Sequence, residues 1–305
     1  MNYYRFKRFN KLYKSYFFNL SMAFSKQSLT HYKRYWAIIQ RIINESDLVL
    51  EVLDARLVEL SRNEQVEEMI KEIGRPLIFV INKCDLVSKE RLKKQVKMLK
   101  KIGDVVFVST KQKGGSKVLL YQIKKVFRKY GKREIESREK FAPKLRFREA
   151  KAGIVVGVLG YPNVGKSSII NALAHKKRAK VSKKSGTTHG IHWINITKDI
   201  KLLDSPGVIP LKKEDEVRYG LIGAKDTETL KNPELVAYAI IKLFLQKNKK
   251  TFEEFYKISL KSEEVEKIIE DMAIKKRFLI KEGKPDKNRM IMLIVKDWQN
   301  GKLRL

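Results

Sequence analysis

Nine residues near the middle of the chain, GYPNVGKSS from Gly160 to Ser168, limit the possible folds more than any other stretch. They contain Gly-x-x-x-x-Gly-Lys-Ser. An apolar, β-branched run (Ile154 to Leu159) precedes them, and a helical pattern, IINALA, follows. A strand that passes through a glycine-rich turn into a helix N-terminus points successive backbone N–H groups inward, where they hold phosphate oxygens. The expected donors are Asn163, Val164, Gly165, Lys166, Ser167 and Ser168. Lys166 would reach the β- and γ-phosphates and Ser167 would ligate Mg²⁺.

Three further boxes each close an apolar run. In LLDSPGV, Asp204 would hold Mg²⁺ through water and the Gly207 N–H would meet the γ-phosphate. Between the two boxes, SGTTHG supplies Thr187 and Thr188, one of which would touch Mg²⁺ and the γ-phosphate and let go after hydrolysis. Upstream, INKCDLV (Ile81 to Val87) holds Asn-Lys-x-Asp. Its Asp85 can accept from both N1–H and N2–H₂ of guanine, whereas adenine would leave that acceptor unpaired. Lys83 can lie along the base plane and Asn82 can tie this loop to the phosphate loop. One strand later, Ser109 and Thr110 stand where a backbone N–H can meet the base oxygen. Alone, Asn-Lys-x-Asp is also what an ordinary polar turn after a strand looks like; its specificity comes from the company of the other boxes.

The order of the boxes is guanine, phosphate, switch, Mg²⁺. A Ras-like domain has the phosphate loop first. Cutting such a domain after its Mg²⁺ box and joining its old ends gives the order found here, and domain termini commonly lie close enough for that. The joint is expected in the charged stretch 131–152, which contains Pro143. The flanking patterns agree. A helix is expected over 32–46, then the strand DLVLEVLDAR, a helix stopped by Gly74, the strand RPLIFVIN, one helix over SKERLKKQVKMLKKIG capped by Ser88, the strand DVVFVSTK, and a helix over KVLLYQIKKVFRKYG. HWINITKDIKLLD reads as two strands turning near Lys198 and Asp199. After Gly207 only helical patterns occur, the first capped by Asn232 with Pro233 at its first position. The expected fold class is α/β: a circularly permuted Ras-like P-loop GTPase domain on a mostly parallel six-stranded sheet, plus a helical C-terminal domain. The expected units are an N-terminal arm over 1–30, the permuted domain over 31–210 and the helical, RNA-binding domain over 211–305.

Charge points to the partner. The 305 residues include 67 Lys and Arg against 34 Asp and Glu, a net charge of +33. Solubility is met by a net charge of about 2–8 in a small domain, so the excess argues for a polyanion, with nucleic acid ahead of an anionic membrane. Residues 1–44 contain no acid and interleave aromatics with cations, as an RNA-binding arm, a transit peptide or a membrane-surface segment would. The single cysteine, Cys84, fits a reducing cytoplasm, and the four histidines form no obvious metal set. No apolar run reaches the roughly 18 residues of a membrane span.

DAR (Asp54 to Arg56), INKCDLV, GYPNVGKSSIINAL, GTTHGIHW, LLDSPGV and DWQNGKL together resemble the circularly permuted GTPases of ribosome assembly, the YlqF/YawG type. The resemblance implies GTP hydrolysis coupled to maturation of a ribosomal subunit, usually the large one, through rRNA and ribosomal-protein contacts. It implies Thr188 as the switch threonine and Asn163 as a ligand of a monovalent cation, K⁺, and it offers His31 as a further catalytic candidate. Val208 stands where Ras-like enzymes carry the glutamine that orients water, so turnover is expected to be slow without a partner. Two rival functions are a membrane-surface or signalling GTPase held by the N-terminal arm, and a nucleotide-dependent scaffold with negligible turnover.

Overall fold

The computed structural model describes residues 26–111, 114–132, 153–174, 191–204, 215–260 and 262–305, with backbone alone for 26–33. Helix α1 (Lys26–Glu45) leads into β1 (Leu48–Asp54). Then come α2 (Val58–Ser61), α3 (Glu64–Ile73), β2 (Leu77–Asn82), α4 (Lys89–Gln95), α5 (Leu99–Ile102), β3 (Asp104–Phe107) and α6 (Gly115–Tyr130). The second half of the sheet supplies β4 (Ile154–Leu159), α7 (Lys166–Ala174), β5 (His192–Asn195) and β6 (Ile200–Asp204).

The six strands lie in the order β3-β2-β1-β4-β6-β5. All neighbouring pairs are parallel except the edge pair β5 and β6. β1, β2 and β4 are buried along their whole length, which is why they are written as near-continuous apolar runs rather than alternating ones. One face packs Trp36, Ile39 and Ile43 of α1 with Met69 and Ile70 of α3 and Leu92 and Leu99. The other packs Leu119, Ile123 and Val126 of α6 against Ile169, Ile170 and Leu173 of α7. The central strands β1 and β4 send their chains to opposite sides, β1 towards β2 and β4 towards β5. A crevice therefore opens at their C-terminal ends, where α/β sheets bind ligands.

Beyond the sheet lie α8 (Glu216–Leu221), α9 (Pro233–Lys247), α10 (Lys249–Tyr256), α11 (Val265–Lys275) and α12 (Lys287–Gln299). They close around Phe244, Phe252 and Trp298, with the Phe244 and Trp298 rings edge to face at 6.0 Å. Tyr219, Ile222 and Ala224 instead join the sheet's own core. The expected 210/211 boundary lies outside the described residues, and α1 begins before the expected 30/31 boundary. None of the described helices is long and apolar enough to cross a membrane.

Three local expectations change. The single helix expected from Ser88 is two, α4 and α5. Ser88 caps the first by accepting from Arg91 N; Val96 closes it, and the second opens at Met98, whose O accepts from Lys101 N three residues on. Asn232 stands at the N-cap of α9 with Pro233 following, but its side chain makes no cap hydrogen bond; its amide reaches Glu216 Oε2 at 3.4 Å. Helix α10 was not expected at all; it follows α9 directly, with Asn248 ending one helix and capping the next.

Candidate functional site

The boxes arrive at one edge of the sheet because their strands do. β1 ends on Asp54, level with Asn82 at the end of β2, and Val158 of β4 is level with Asp204 at the end of β6. Adjacent strands are about 4.8 Å apart, so the guanine box after β2 and the phosphate loop after β4 stand about 10 Å apart with β1 between them.

Side chains close that gap. Asn82 Nδ2 donates to Val164 O at 2.9 Å, and Lys83 Nζ donates to Asn163 O at 2.8 Å. Gly165 permits the first contact. It has φ +101°, and a Cβ there would overlap the Asn82 amide nitrogen. Gly160 opens the loop at φ +144°, with a would-be Cβ 2.6 Å from Val52 O. On the base side, Ser109 Oγ donates to Asp85 Oδ1 at 2.7 Å, and Lys111 Nζ lies 4.0 Å from Asp85 Oδ2. The carboxylate that would read guanine is thus oriented by the next strand's loop, and Thr110 follows on that loop.

The phosphate side is buried and charged. Lys166 Nζ donates to Gly160 O at 2.7 Å and to Tyr161 O at 2.8 Å. Burial pulls its pKa down to about 8, against the opposing pull of Asp204. Burial also pushes Asp204 up to about 6, opposed by Lys166 and His192. Asp204 Oδ1 and Asn82 Oδ1 are buried without a hydrogen-bond partner among the described residues. An orphaned carboxylate oxygen beside a phosphate loop suits Mg²⁺ or its water shell. Ser167 and Ser168 begin α7 beside it. Thr187, Thr188, Gly207, Val208 and the His31 side chain lie outside the described residues.

Asn163 has an unexpected setting. With φ 60° it turns its amide away from the loop, donating to Gly223 O at 2.7 Å and Asp226 Oδ1 at 3.2 Å. The phosphate loop is thereby fastened to the segment after α8.

A second fastening was not assigned from the sequence, although its residues lie in the DAR and DWQNGKL stretches. Asp54 Oδ2 accepts from Lys83 Nζ and Arg56 Nη2, both at 2.8 Å, and Asp54 Oδ1 accepts from Arg56 N and Nε at 3.0 Å. Burial alone would raise the Asp54 pKa; the Arg56 and Lys83 charges outweigh it and hold the carboxyl well below its ordinary range. Arg56 in turn donates to Trp298 O and stacks on the Trp298 ring at 4.2 Å. Trp298 Nε1 donates to Leu221 O at 2.6 Å, and Gln299 Nε2 donates to Gly220 O at 3.0 Å and Lys225 O at 2.9 Å. A circuit of hydrogen bonds and short backbone links thus runs from the phosphate loop through Lys83, Asp54, Arg56 and Trp298 to the α8 segment, and back through Gly223 to Asn163.

Known proteins are similar to this chain in sequence and in fold. The family described as "50S ribosome-binding GTPase" matches residues 155–282, starting at the phosphate-loop strand and leaving the guanine box upstream. An uncharacterized GTP-binding protein of Methanocaldococcus jannaschii is 37% identical over 267 residues, 87% of this chain and 65% of that protein. Nucleolar GTP-binding protein 2 of Saccharomyces cerevisiae is 32% identical over 275 residues, 89% of this chain and 52% of that one. The chain thus spans about half to two thirds of the length of these relatives. The GNP-bound YlqF of T. maritima superposes with a TM-score of 0.55 over 88% of this chain and 94% of that one, at 24% identity. Strand order and boxes define the class, a GTPase domain in circularly permuted order. The chain shares its fold with YlqF and is similar in sequence to the M. jannaschii GTP-binding protein over most of its length.

Proposed function

We propose that this protein is a GTP-hydrolysing ribosome-assembly factor. It binds rRNA on a ribosomal subunit, the large one, in its GTP state and changes its grip after hydrolysis. One observation carries the proposal: Asn82 and Lys83 bond directly to Val164 and Asn163 of the phosphate loop. Loops in reversed sequence order therefore face one nucleotide. The "50S ribosome-binding" description of the matching family and the nucleolar relatives support the ribosomal destination. The net charge of +33 supports RNA as the surface met; ribosomal proteins would be further contacts, and the single cysteine suits the cytoplasm as the compartment.

In this proposal Asp85, Lys83 and the Ser109–Thr110 loop hold the base, and residues 163–168 hold the phosphates. Ser167, Thr188 and Asp204 hold Mg²⁺, which would neutralise the β- and γ-phosphate oxygens. Thr188 and the Gly207 N–H meet the γ-phosphate. Val208 cannot orient water, so unassisted turnover is slow, on the order of 10⁻⁴–10⁻² s⁻¹. Any K⁺ at Asn163 would be bound through Oδ1, the one ligating atom of the amide, while Nδ2 donates to Gly223 O and Asp226 Oδ1. His31 is the remaining candidate for assisting hydrolysis.

Nucleotide dependence would travel through the hydrogen-bonded circuit, which joins both nucleotide loops to the helical domain. The test is co-sedimentation with each ribosomal subunit in a non-hydrolysable GTP analogue and in GDP. Retention on the large subunit in the analogue, and less in GDP, is expected. Equal retention would remove the switch, since a ligand with no preference shifts no population. Binding to anionic vesicles in place of subunits would favour a membrane-surface GTPase.

A further inference from the structure

Between α11 and α12 the chain makes a small hairpin that the nucleotide site does not use. Leu279 bridges Pro285 in antiparallel fashion, Ile280 N donates to Lys284 O at 2.9 Å, and Asp286 N donates to Phe278 O at 2.8 Å. Arg277 and Glu282 hold left-handed φ angles of 56° and 66° to shape its two turns. The Arg289 guanidinium stacks on the Phe278 ring at 4.2 Å and braces the base. Such bracing suits a projection that must hold its shape without a core of its own.

One leg of the hairpin is apolar, and the turn at Lys281–Gly283 and its flanks are mostly cationic. Leu279 and Ile280 are 50% and 53% exposed, and Ile274, at the end of α11, is 53% exposed. Lys275, Lys276, Arg277, Lys281 and Lys284 surround them, all exposed. Of the nearby acids, Glu282 meets Lys284, Glu270 meets Lys287 and Asp286 caps α12, while Asp271 is exposed one turn before Lys275. Arg277 and Lys281 have no acidic partner among the described residues. Exposed branched aliphatics flanked by the unpaired cations Arg277 and Lys281 leave apolar surface in water and repel other basic surfaces. They match a partner that carries phosphates around flat apolar faces.

We propose that this hairpin is a docking wing for RNA. Leu279 and Ile280 cover unpaired bases or the shallow minor groove, and Arg277, Lys281 and their neighbours meet the flanking phosphates. The proposal rests on the reading of the protein as an rRNA-binding factor and names the element that makes the contact. Two aliphatic side chains offer too little apolar surface to hold a membrane, at about 1.5–3 kcal/mol each when fully buried.

The full-length protein is titrated with protein-free large-subunit rRNA across a salt series, beside vesicles containing phosphatidylserine. Two double variants are compared with the wild type: Arg277→Glu with Lys281→Glu, and Leu279→Ser with Ile280→Ser. GTP affinity and melting temperature verify that each remains folded. The charge variant is expected to bind rRNA at least about tenfold more weakly, and the slope of log K on log salt to shrink by about 2. The serine variant is expected to weaken binding severalfold with the slope unchanged. Wild-type-like rRNA binding by both variants would overturn the wing alone. Absence of rRNA binding by the wild type would overturn the parent reading with it. A loss confined to vesicle binding would also overturn the wing and assign the hairpin to a membrane.

Discussion

The Lys83 ammonium lies 2.8 Å from Asp54 Oδ2, on the same carboxylate that pairs with Arg56 in the interior. The guanine-box lysine is therefore a member of a buried three-charge network. Through Arg56 and Trp298, that network also supports the last helix. In the proposed function, base recognition and helical-domain position would share one carboxylate.

Arg56→Ala should be strongly destabilising. It leaves Asp54 with Lys83 as its one charged partner and removes the cation from the Trp298 ring. Breaking one side of a buried pair costs about 3–5 kcal/mol. Urea denaturation of wild type, Arg56→Ala and Arg56→Lys measures this, with lysine recovering part of the loss. A cost below about 1 kcal/mol for the alanine variant would show that the network is not holding the two parts together.

Gly165→Ala should damage nucleotide binding more than folding. Its methyl group would displace the Asn82 amide, and the residue would be forced to keep φ +101°. We expect GTP affinity to fall by at least about tenfold, equal to about 1.4 kcal/mol. Equilibrium titration with a fluorescent GTP analogue checks it. Unchanged affinity would mean that the Asn82 bridge is dispensable.

Proton linkage follows from the two buried charges. With its pKa lowered to about 8, Lys166 contributes stability that is present above its ordinary pKa of about 10.5 and lost as pH falls through 8. Triphosphate beside it favours the charged form, so GTP binding should take up protons between about pH 8 and 10. Asp204, raised to about 6, contributes stability that is present below its ordinary pKa of about 4 and lost as pH rises through 6. Mg²⁺ needs it ionised, so Mg²⁺-dependent GTP affinity should weaken as pH drops from 7 to 5. Calorimetry in buffers of different ionisation enthalpy reads both effects. Heats independent of the buffer at pH 8.5 would contradict the Lys166 assignment.

The residues at 303–305 also reach the guanine box. Leu305 N donates to Leu86 O at 2.8 Å, and Ser88 N donates to Leu305 O at 3.3 Å. Removing Leu303 to Leu305 should loosen the turn from Cys84 to Leu86, lower affinity for GTP severalfold and, because Leu303 and Leu305 are buried in the helical core, lower the melting temperature as well. Equal affinity in the shortened chain would rule out this support.

Much of this site could be read from sequence because each box ends an apolar run. Runs such as LIFVIN and IVVGVL must be buried on both faces, and the polar residues that stop them must then sit together at one edge of the sheet. The fastening of Arg56 to Trp298 could not be read that way. It joins residues 242 apart in the chain, and no local periodicity reports such a partner. Asn163 is similar: its place in Pro-Asn-Val-Gly-Lys marks the loop, but only the packed fold shows its amide directed at Gly223. Local errors had local causes, as where Asn248 serves two helices and α9 runs into α10 without a turn signal.

The central claim, that Asp85 reads guanine for phosphates held at Lys166, is tested by base exchange. An asparagine at position 85 presents one donor and one acceptor, which suit the two carbonyls and ring N–H of xanthine better than guanine. The measurement is the affinity of wild type and Asp85→Asn for GTP, XTP and ATP. The account predicts that the wild type selects GTP and that Asp85→Asn loses GTP while gaining XTP. GTP affinity unchanged by Asp85→Asn would contradict it.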